Sequence, residues 1–383
     1  MPVATRTFDV HHAEGVEKTR ATLAPLQEFS VDLEADALHA FSPRLCFVQI
    51  GTDEDIFLFD TLIPEVTLSP LKELFADPAR TKFIHAAMGD LQFLAEVGVR
   101  VQGLFDTHRA ATLLGLPRVG LADLVEQACG VRLAKAHQQD DFSIRPLPDN
   151  MREYIADDVR YLTEVGRRVK AQCVEKDILE EVELDCRRMA DEALERPATG
   201  ADFRPKIPRN GLSPERLRVV EAVCWAMHEK RLAWAKAEDI PMGRMVSNAA
   251  VVAMAMSQPT TLQALQRCEG IRRGFVKTHG ELALATIAGV LEQAKAGTLP
   301  PSREAPRKDS RERKRSDVLV EFRNEAAKAR GITGSAVLPN ALVEELASRP
   351  PESVDALRAF PYFGEKRIRL YGQALVKLLA NYR

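Results

Sequence analysis

Five side chains in the first half of the chain have the types and spacing to carry chemistry. They are Asp32 and Glu34 in "VDLEA", Asp90 in "HAAMGDLQFL", and Tyr154 and Asp158 in "REYIADDVRYL". On a strand, the period of two puts Asp32 and Glu34 on one face and Val31, Leu33 and Ala35 on the other. Two neighbouring carboxylates on an otherwise apolar strand repel each other unless water or a cation screens them. On a helix, Tyr154 and Asp158 are four residues apart, so phenol and carboxylate share a face, while Asp157 points about 100° away. Each feature has a plainer alternative. Asp32 and Glu34 also suit an exposed strand end, Asp90 an N-cap for a helix beginning near Leu91, and Tyr154 the core side of a solvated amphipathic helix. Asp106 in "LFDTHRAATLL" reads as an N-cap only, and His85 in "KFIHA" as a satisfied histidine near the core.

The elements that must position these residues are legible around them. "FSVDLEA", "LCFVQIG" and "IFLFDT" read as three strands joined by short turns, and "KFIHA" and "GLFDT" each run from strand into helix, which predicts a mixed α/β sheet. Helical periodicity then covers 121–129 and runs from Met151 to about Glu195. The proline-containing stretch "RPATGADFRPKIPRNGLSP" cannot continue a helix and reads as a linker, and "GTLPPSREAPRKDSRERKR" (297–315) as a second, basic one.

The C-terminal half contains an internal repeat. Shifted by 92 positions, Asn248, Ala249, Val251, Ala255, Pro259, Leu265 and Gly280 fall on Asn340, Ala341, Val343, Ala347, Pro351, Leu357 and Gly372. Arg231, Ala235, Lys236 and Ile240 fall on Arg323, Ala327, Lys328 and Ile332. Two copies of one helical domain follow from this register. The expected organisation is an α/β domain over 1–195, a linker over 196–211, helical domains over 212–296 and 316–383, and the basic linker 297–315 between them.

Composition sets the class. With 383 residues the chain is too long for one core of ordinary size, and its 45% hydrophobic and 28% charged residues are those of a globular protein. The net charge of −2 hides an asymmetry: up to residue 188 there are 21 basic and 32 acidic residues, and beyond it 32 basic and 23 acidic, giving −11 and +9. That favours nucleic acid as partner of the C-terminal half, with solvated helix faces as the alternative. Six scattered cysteines form neither a zinc motif nor a disulfide framework. The N-terminus lacks the apolar core of a signal peptide and no run approaches a membrane span, so a cytoplasmic protein is expected, monomeric for want of long heptads.

Taken together and in this order, Asp-x-Glu on an early strand, Asp90 at a strand-to-helix junction and Tyr-x-x-x-Asp on a later helix resemble the DEDD superfamily of 3′-5′ exonucleases in its tyrosine subclass. "FIHAAMGDLQFL", "LFDTHRAATLLG" and "KAHQQDDFSIRPLPDNMREYIADDVRYL" look like the corresponding segments of the ribonuclease D family, over residues 5 to 190, and the repeat is similar to the HRDC domain. The chain departs from the family at Ala35, where an aromatic residue is frequent, and at Phe142, where tryptophan is.

The resemblance implies a ribonuclease H-like α/β exonuclease domain followed by two all-α HRDC domains. It also implies a metal-dependent exoribonuclease that trims RNA 3′ ends, tRNA precursors among them. Asp32, Glu34, Asp90 and Asp158 would hold two divalent cations, Mg²⁺ or Mn²⁺, and Tyr154 would orient the attacking water. Four carboxylates without histidine or cysteine suit hard cations better than zinc. Lys135, Gln138 and Arg145 lie in the segment resembling the active-site loop and are candidates for the terminal phosphates, with solvated loop residues as the alternative. Arg272, Arg273, Lys277, Lys366, Arg367 and Arg369 are the candidate nucleic-acid contacts of the helical repeats. A DNA exonuclease and a non-catalytic nucleic-acid scaffold are the competing expectations.

Overall fold

The computed structural model describes residues 6–133, 137, 139–195, 203–303 and 309–382. The chain forms two compact units, one of Met1–Ala35, Leu45–Ala198 and Arg307–Arg383, the other of Asp36–Arg44 and Thr199–Pro306. Among the described residues no helix is long and apolar enough to cross a membrane.

The first unit is built on a six-stranded sheet of β1 (Arg6–Val10), β2 (Glu28–Ala35), β3 (Leu45–Gly51), β4 (Asp55–Asp60), β5 (Thr81–Ile84) and β6 (Leu104–Asp106). Their order is β1-β4-β3-β2-β5-β6. β2, β3 and β4 form an antiparallel meander, while β1 joins β4, β5 joins β2 and β6 joins β5 in parallel. Five of these strands stand where the sequence places them. β1 does not show in the sequence, because "RTFDV" is a short edge strand whose partners, Asp55 to Phe59, lie about fifty residues away in the chain.

Among the described residues this sheet is accompanied by α1 (Ala13–Leu23), α2 (Lys72–Ala76), α3 (Met88–Glu96), α4 (Thr107–Leu114), α5 (Leu121–Cys129), α6 (Asp149–Arg160), α7 (Leu162–Glu175) and α8 (Leu179–Glu195). The helical run from Met151 is thus three helices, the second break falling where Asp177 takes a left-handed φ of 51°. On one face of the sheet Phe47, Ile56 and Leu58 pack against Met151, Ile155, Ala156 and Val159 of α6. On the other face Val31, Leu33, Val48, Ile50, Phe57 and Phe59 enter the larger core. The alternation of β2 therefore turns Val31 and Leu33 inward there and Asp32 and Glu34 toward α6.

In the second unit, α9 (Pro214–Ala237), α10 (Met242–Met245), α11 (Asn248–Ser257), α12 (Leu262–Gln266) and α13 (Arg273–Lys295) enclose Val220, Val223, Met227, Val251, Met254, Leu265 and Ile287. Trp225 and Trp234 pack against this core, Trp234 stacking on His279 with ring centroids 4.6 Å apart. Both rings are half-buried.

The second repeat belongs to the first unit and consists of α14 (Ser310–Arg330), α15 (Gly334–Val337), α16 (Asn340–Ser348) and α17 (Glu365–Ala380). The register found in the sequence extends to side-chain bonding. Arg231 donates to the Val246 carbonyl and to Asn248 Oδ1, and its counterpart Arg323 donates to the Leu338 carbonyl and to Asn340 Oδ1. α14 starts at Ser310, inside the stretch expected as linker, because the Asp309 carboxylate caps it by accepting from the Glu312 N–H at 2.6 Å.

Two of the candidate nucleic-acid contacts are not available for that role. Lys366 and Arg367 are buried, and within the first unit they join α17 to what it packs on. Lys366 Nζ pairs with Glu181 of α8 at 3.1 Å and with Asp177 at 2.9 Å. Arg367 donates to the carbonyls of Ala336, Val337, Tyr362 and Phe363. Tyr362 donates to Asp191 and Thr333 to the Leu113 carbonyl, so the second repeat is bonded to the α/β domain at several points. Charge alone does not distinguish a basic surface from a buried ion pair. Arg272, Arg273, Lys277 and Arg369 are exposed.

Candidate active site

β2 and α6 bring three of the four acids together. The carboxylate oxygens of Asp32, Glu34 and Asp158 lie within 4.8 Å of one another. Tyr154, one turn before Asp158, directs its hydroxyl to that carboxylate. Its ring is held by Phe142, stacked with centroids 6.3 Å apart, and by His137, edge-on at 5.7 Å. Phe142, at the place where the family often has tryptophan, thus packs on Tyr154.

Asp90 stands outside this tight group but near enough for its charge to raise the pKa of both Asp32 and Glu34. It is not the N-cap. α3 starts at Met88, three residues before the expected start, and Asp90 lies in its first turn, where a helix favours negative charge.

Among the described residues, the charges that act most strongly on these acids are other carboxylates. Burial, and then the charge of Asp90, holds the Asp32 carboxyl well above the ordinary range. Burial and the charges of Asp32, Asp158 and Asp90 push Glu34 up to about 10. Burial and Asp106 push Asp90 to about 8, and burial and Asp32 push Asp158 to about 8, the latter against the Tyr154 hydrogen bond.

In cation-free protein these raised values make stability fall with pH. Each group contributes fully below the unfolded carboxyl pKa of about 4, and its contribution is lost as pH rises through the folded value. Glu34→Gln should therefore leave stability in EDTA little changed at pH 4 and raise it at pH 8 by more than about 1 kcal/mol. Denaturant melts across this range check it, and a wild-type pH slope in the variant would contradict it.

Asp106 supplies a positioning contact that its N-cap role does not exhaust. It caps α4 by accepting from the Arg109 N–H at 3.0 Å, as expected. It also accepts from the N–H groups of Ala86 at 3.1 Å and Ala87 at 2.9 Å. These residues form the turn from β5 into α3, where Ala86 has a φ of 59°, and the turn sets where Asp90 stands. Asp106→Ala would leave three backbone donors without their acceptor, a loss of about 3 kcal/mol or more in a urea melt, and should lower activity through Asp90. Unchanged stability would overturn this account. His85 is satisfied, as expected, by the Thr107 hydroxyl at 2.9 Å.

Arg145 is not free to meet a phosphate. Its guanidinium pairs with both oxygens of Asp60 at 2.6 and 2.7 Å and donates to the carbonyls of Cys46, Phe142 and Ile144. It also lies 4.2 Å over the Phe47 ring. Arg145 anchors the loop before α6 to the sheet, a role set by partners almost a hundred residues upstream. Lys135 and Gln138 lie outside the described residues. His137, which the sequence did not single out, reaches the site through Tyr154 and bonds Asp140 and Asn150.

This geometry, with two carboxylates on a central strand facing a helix that bears a third beside a tyrosine, is that of a nuclease-type acidic site on a mixed α/β sheet. Residues 9–172 match the family described as 3'-5' exonuclease, and residues 221–287 and 312–379 match the HRDC domain. The class is a 3′-5′ exonuclease domain followed by two HRDC domains. Ribonuclease D of Granulibacter bethesdensis is 31% identical over 285 residues, 72% of this chain and 70% of that one. Ribonuclease D of Acidiphilium cryptum is 29% identical over 90% of this chain and 87% of its own. The chain belongs to the ribonuclease D family. In fold it is similar to Escherichia coli RNase D, with a TM-score of 0.67 at 22% identity over 99% of this chain and 100% of that one. The catalytic core of RRP6 from Trypanosoma brucei is similar with a TM-score of 0.60 at 25% identity, over 76% and 81% of the two chains.

Proposed function

We propose that the protein is a metal-dependent 3′-5′ exoribonuclease that releases nucleoside monophosphates from the 3′ ends of structured RNAs, tRNA precursors among them. The observation that carries this is the convergence of Asp32, Glu34 and Asp158 oxygens within 4.8 Å on an exonuclease-family framework. Three half-buried like charges at that separation are stable together only when protonated or neutralised, and an all-oxygen donor set fits Mg²⁺ or Mn²⁺. Asp32, Glu34 and Asp158 would hold one cation, and Asp90 with Asp32 a second. Bound there, the cations supply water activation and charge neutralisation at the phosphorus.

The rest falls to the chain. Burial and the charges of Asp158, Glu34 and Asp32 raise the Tyr154 pKa in cation-free protein, and a phenol of ordinary pKa about 10 is already a poor base at neutral pH. Its hydroxyl therefore orients the attacking water and does not serve as a base. Water adds to phosphorus, the bond to the 3′-oxygen breaks, and a 5′-monophosphate leaves. The Escherichia coli ribonuclease D is described as an exoribonuclease involved in structured RNA processing, which supports the substrate class. Exposed Arg272, Arg273, Lys277 and Arg369 are proposed to hold RNA backbone through the HRDC domains.

The test is a time course on 5′-labelled RNA and its DNA twin with Mg²⁺, Mn²⁺ or EDTA. A ladder shortening from the 3′ end with metal, absent in EDTA and faster on RNA, is expected. Faster loss of DNA would make it a DNA exonuclease, and binding without cleavage a scaffold.

A further inference from the structure

Gln49 lies in the middle of β3 and is 0% exposed. Its amide nitrogen and oxygen are both buried without a hydrogen-bond partner. The strand's alternation shows where it points. Phe47, two residues before it, packs against α6, while its neighbours Val48 and Ile50 enter the core on the opposite face. Gln49 therefore faces α6, on the side of the sheet that bears the acids.

Its neighbours there are almost all apolar. Across the sheet it is registered with Leu58 of β4 on one side and with Asp32 of β2 on the other. Directly opposed residues in an antiparallel pair have Cβ atoms about 5 Å apart and point the same way. Ser30, the next polar residue on that face of β2, directs its hydroxyl to the carbonyls of Gly51 and Val159, and neither Gln49 amide atom bonds it. A buried amide without a partner is costly, and methionine or leucine would fill the place without that cost. Asp32 is the neighbour that an amide serves and a methionine cannot.

We propose that Gln49 is a positioning residue for Asp32: its Nε2, which has no partner in the structure, would on cation binding donate to the Asp32 oxygen turned away from the cation and so fix the rotation of that carboxylate. This rests on the reading of Asp32 as a cation ligand. A carboxylate held by a donor behind it presents its other oxygen in one orientation, and loss of such an outer contact typically weakens metal binding by about 10- to 100-fold.

Thermal melts of the full-length Gln49→Met and Gln49→Leu proteins, titrated with Mn²⁺, test it. In EDTA both variants should melt at or above the wild-type temperature, because an unpaired polar group has been removed. The Mn²⁺ concentration giving half the thermal shift should rise by about tenfold or more. Exonuclease activity should recover toward wild type at saturating Mn²⁺. Variants that melt lower in EDTA with unchanged Mn²⁺ dependence would make the amide merely structural, and wild-type behaviour in both readings would leave it no role. Either outcome overturns the proposal while leaving the site intact. A wild-type protein whose melting ignores Mn²⁺ would instead overturn the cation reading, and this proposal with it.

Discussion

Asp32→Asn is expected to abolish exonucleolytic turnover and to leave the fold intact. Asp32 is the acid on which the others converge: its charge acts on Glu34, Asp158 and Tyr154, and that of Asp90 acts on it. Asparagine keeps the volume and removes the charge that a cation needs, so the rate on labelled RNA in Mg²⁺ should fall by at least about 10³-fold. The same substitution relieves repulsion in cation-free protein. Its melting temperature in EDTA should match or exceed that of wild type, and Mg²⁺ should no longer raise it. A rate within about tenfold of wild type would remove Asp32 from the site. An inactive variant that has also unfolded would point instead to a structural role.

Tyr154→Phe is expected to lower the rate by about 10² to 10⁴, the range for a positioned group in proton-transfer chemistry. The substitution is clean because the ring stays packed between Phe142 and His137, and only the hydroxyl directed at Asp158 is lost. The pH–rate profile separates orientation from base catalysis. A phenol of ordinary pKa about 10, further buried here, stays protonated at neutral pH, so the variant should keep the wild-type pH dependence at a uniformly lower level. Loss of a limb of the profile in Tyr154→Phe would identify the tyrosine as the base, and an unchanged rate would mean that another group orients the water.

Much of this site follows from short backbone periods. Asp32 and Glu34 share a face because a strand alternates, and Tyr154 and Asp158 share one because a helix returns after four residues. Neither statement needs any other part of the chain. Five strands, the helical character from Met151 onward and the 92-residue register of the repeat are local or self-similar in the same way. Where local signals were weak they misplaced boundaries: Asp90 sits within α3, and α14 takes in residues expected as linker.

By itself, then, the sequence determined which residues share a face, which elements carry them and the order of the domains, because these depend on backbone geometry over a few residues or on comparison of the chain with itself. Only the tertiary structure decided which charges meet. Arg145 reads as a phosphate contact until Asp60, 85 residues away, takes its guanidinium. Lys366 reads as a surface cation until Glu181, 185 residues away, buries it. Asp106 reads as a cap for its own helix until it also holds the turn that places Asp90, and Gln49 is unremarked until β3 sets it beside Asp32. A charged or amide side chain has no preferred partner written in its neighbours, since its free energy depends on what the folded chain packs around it.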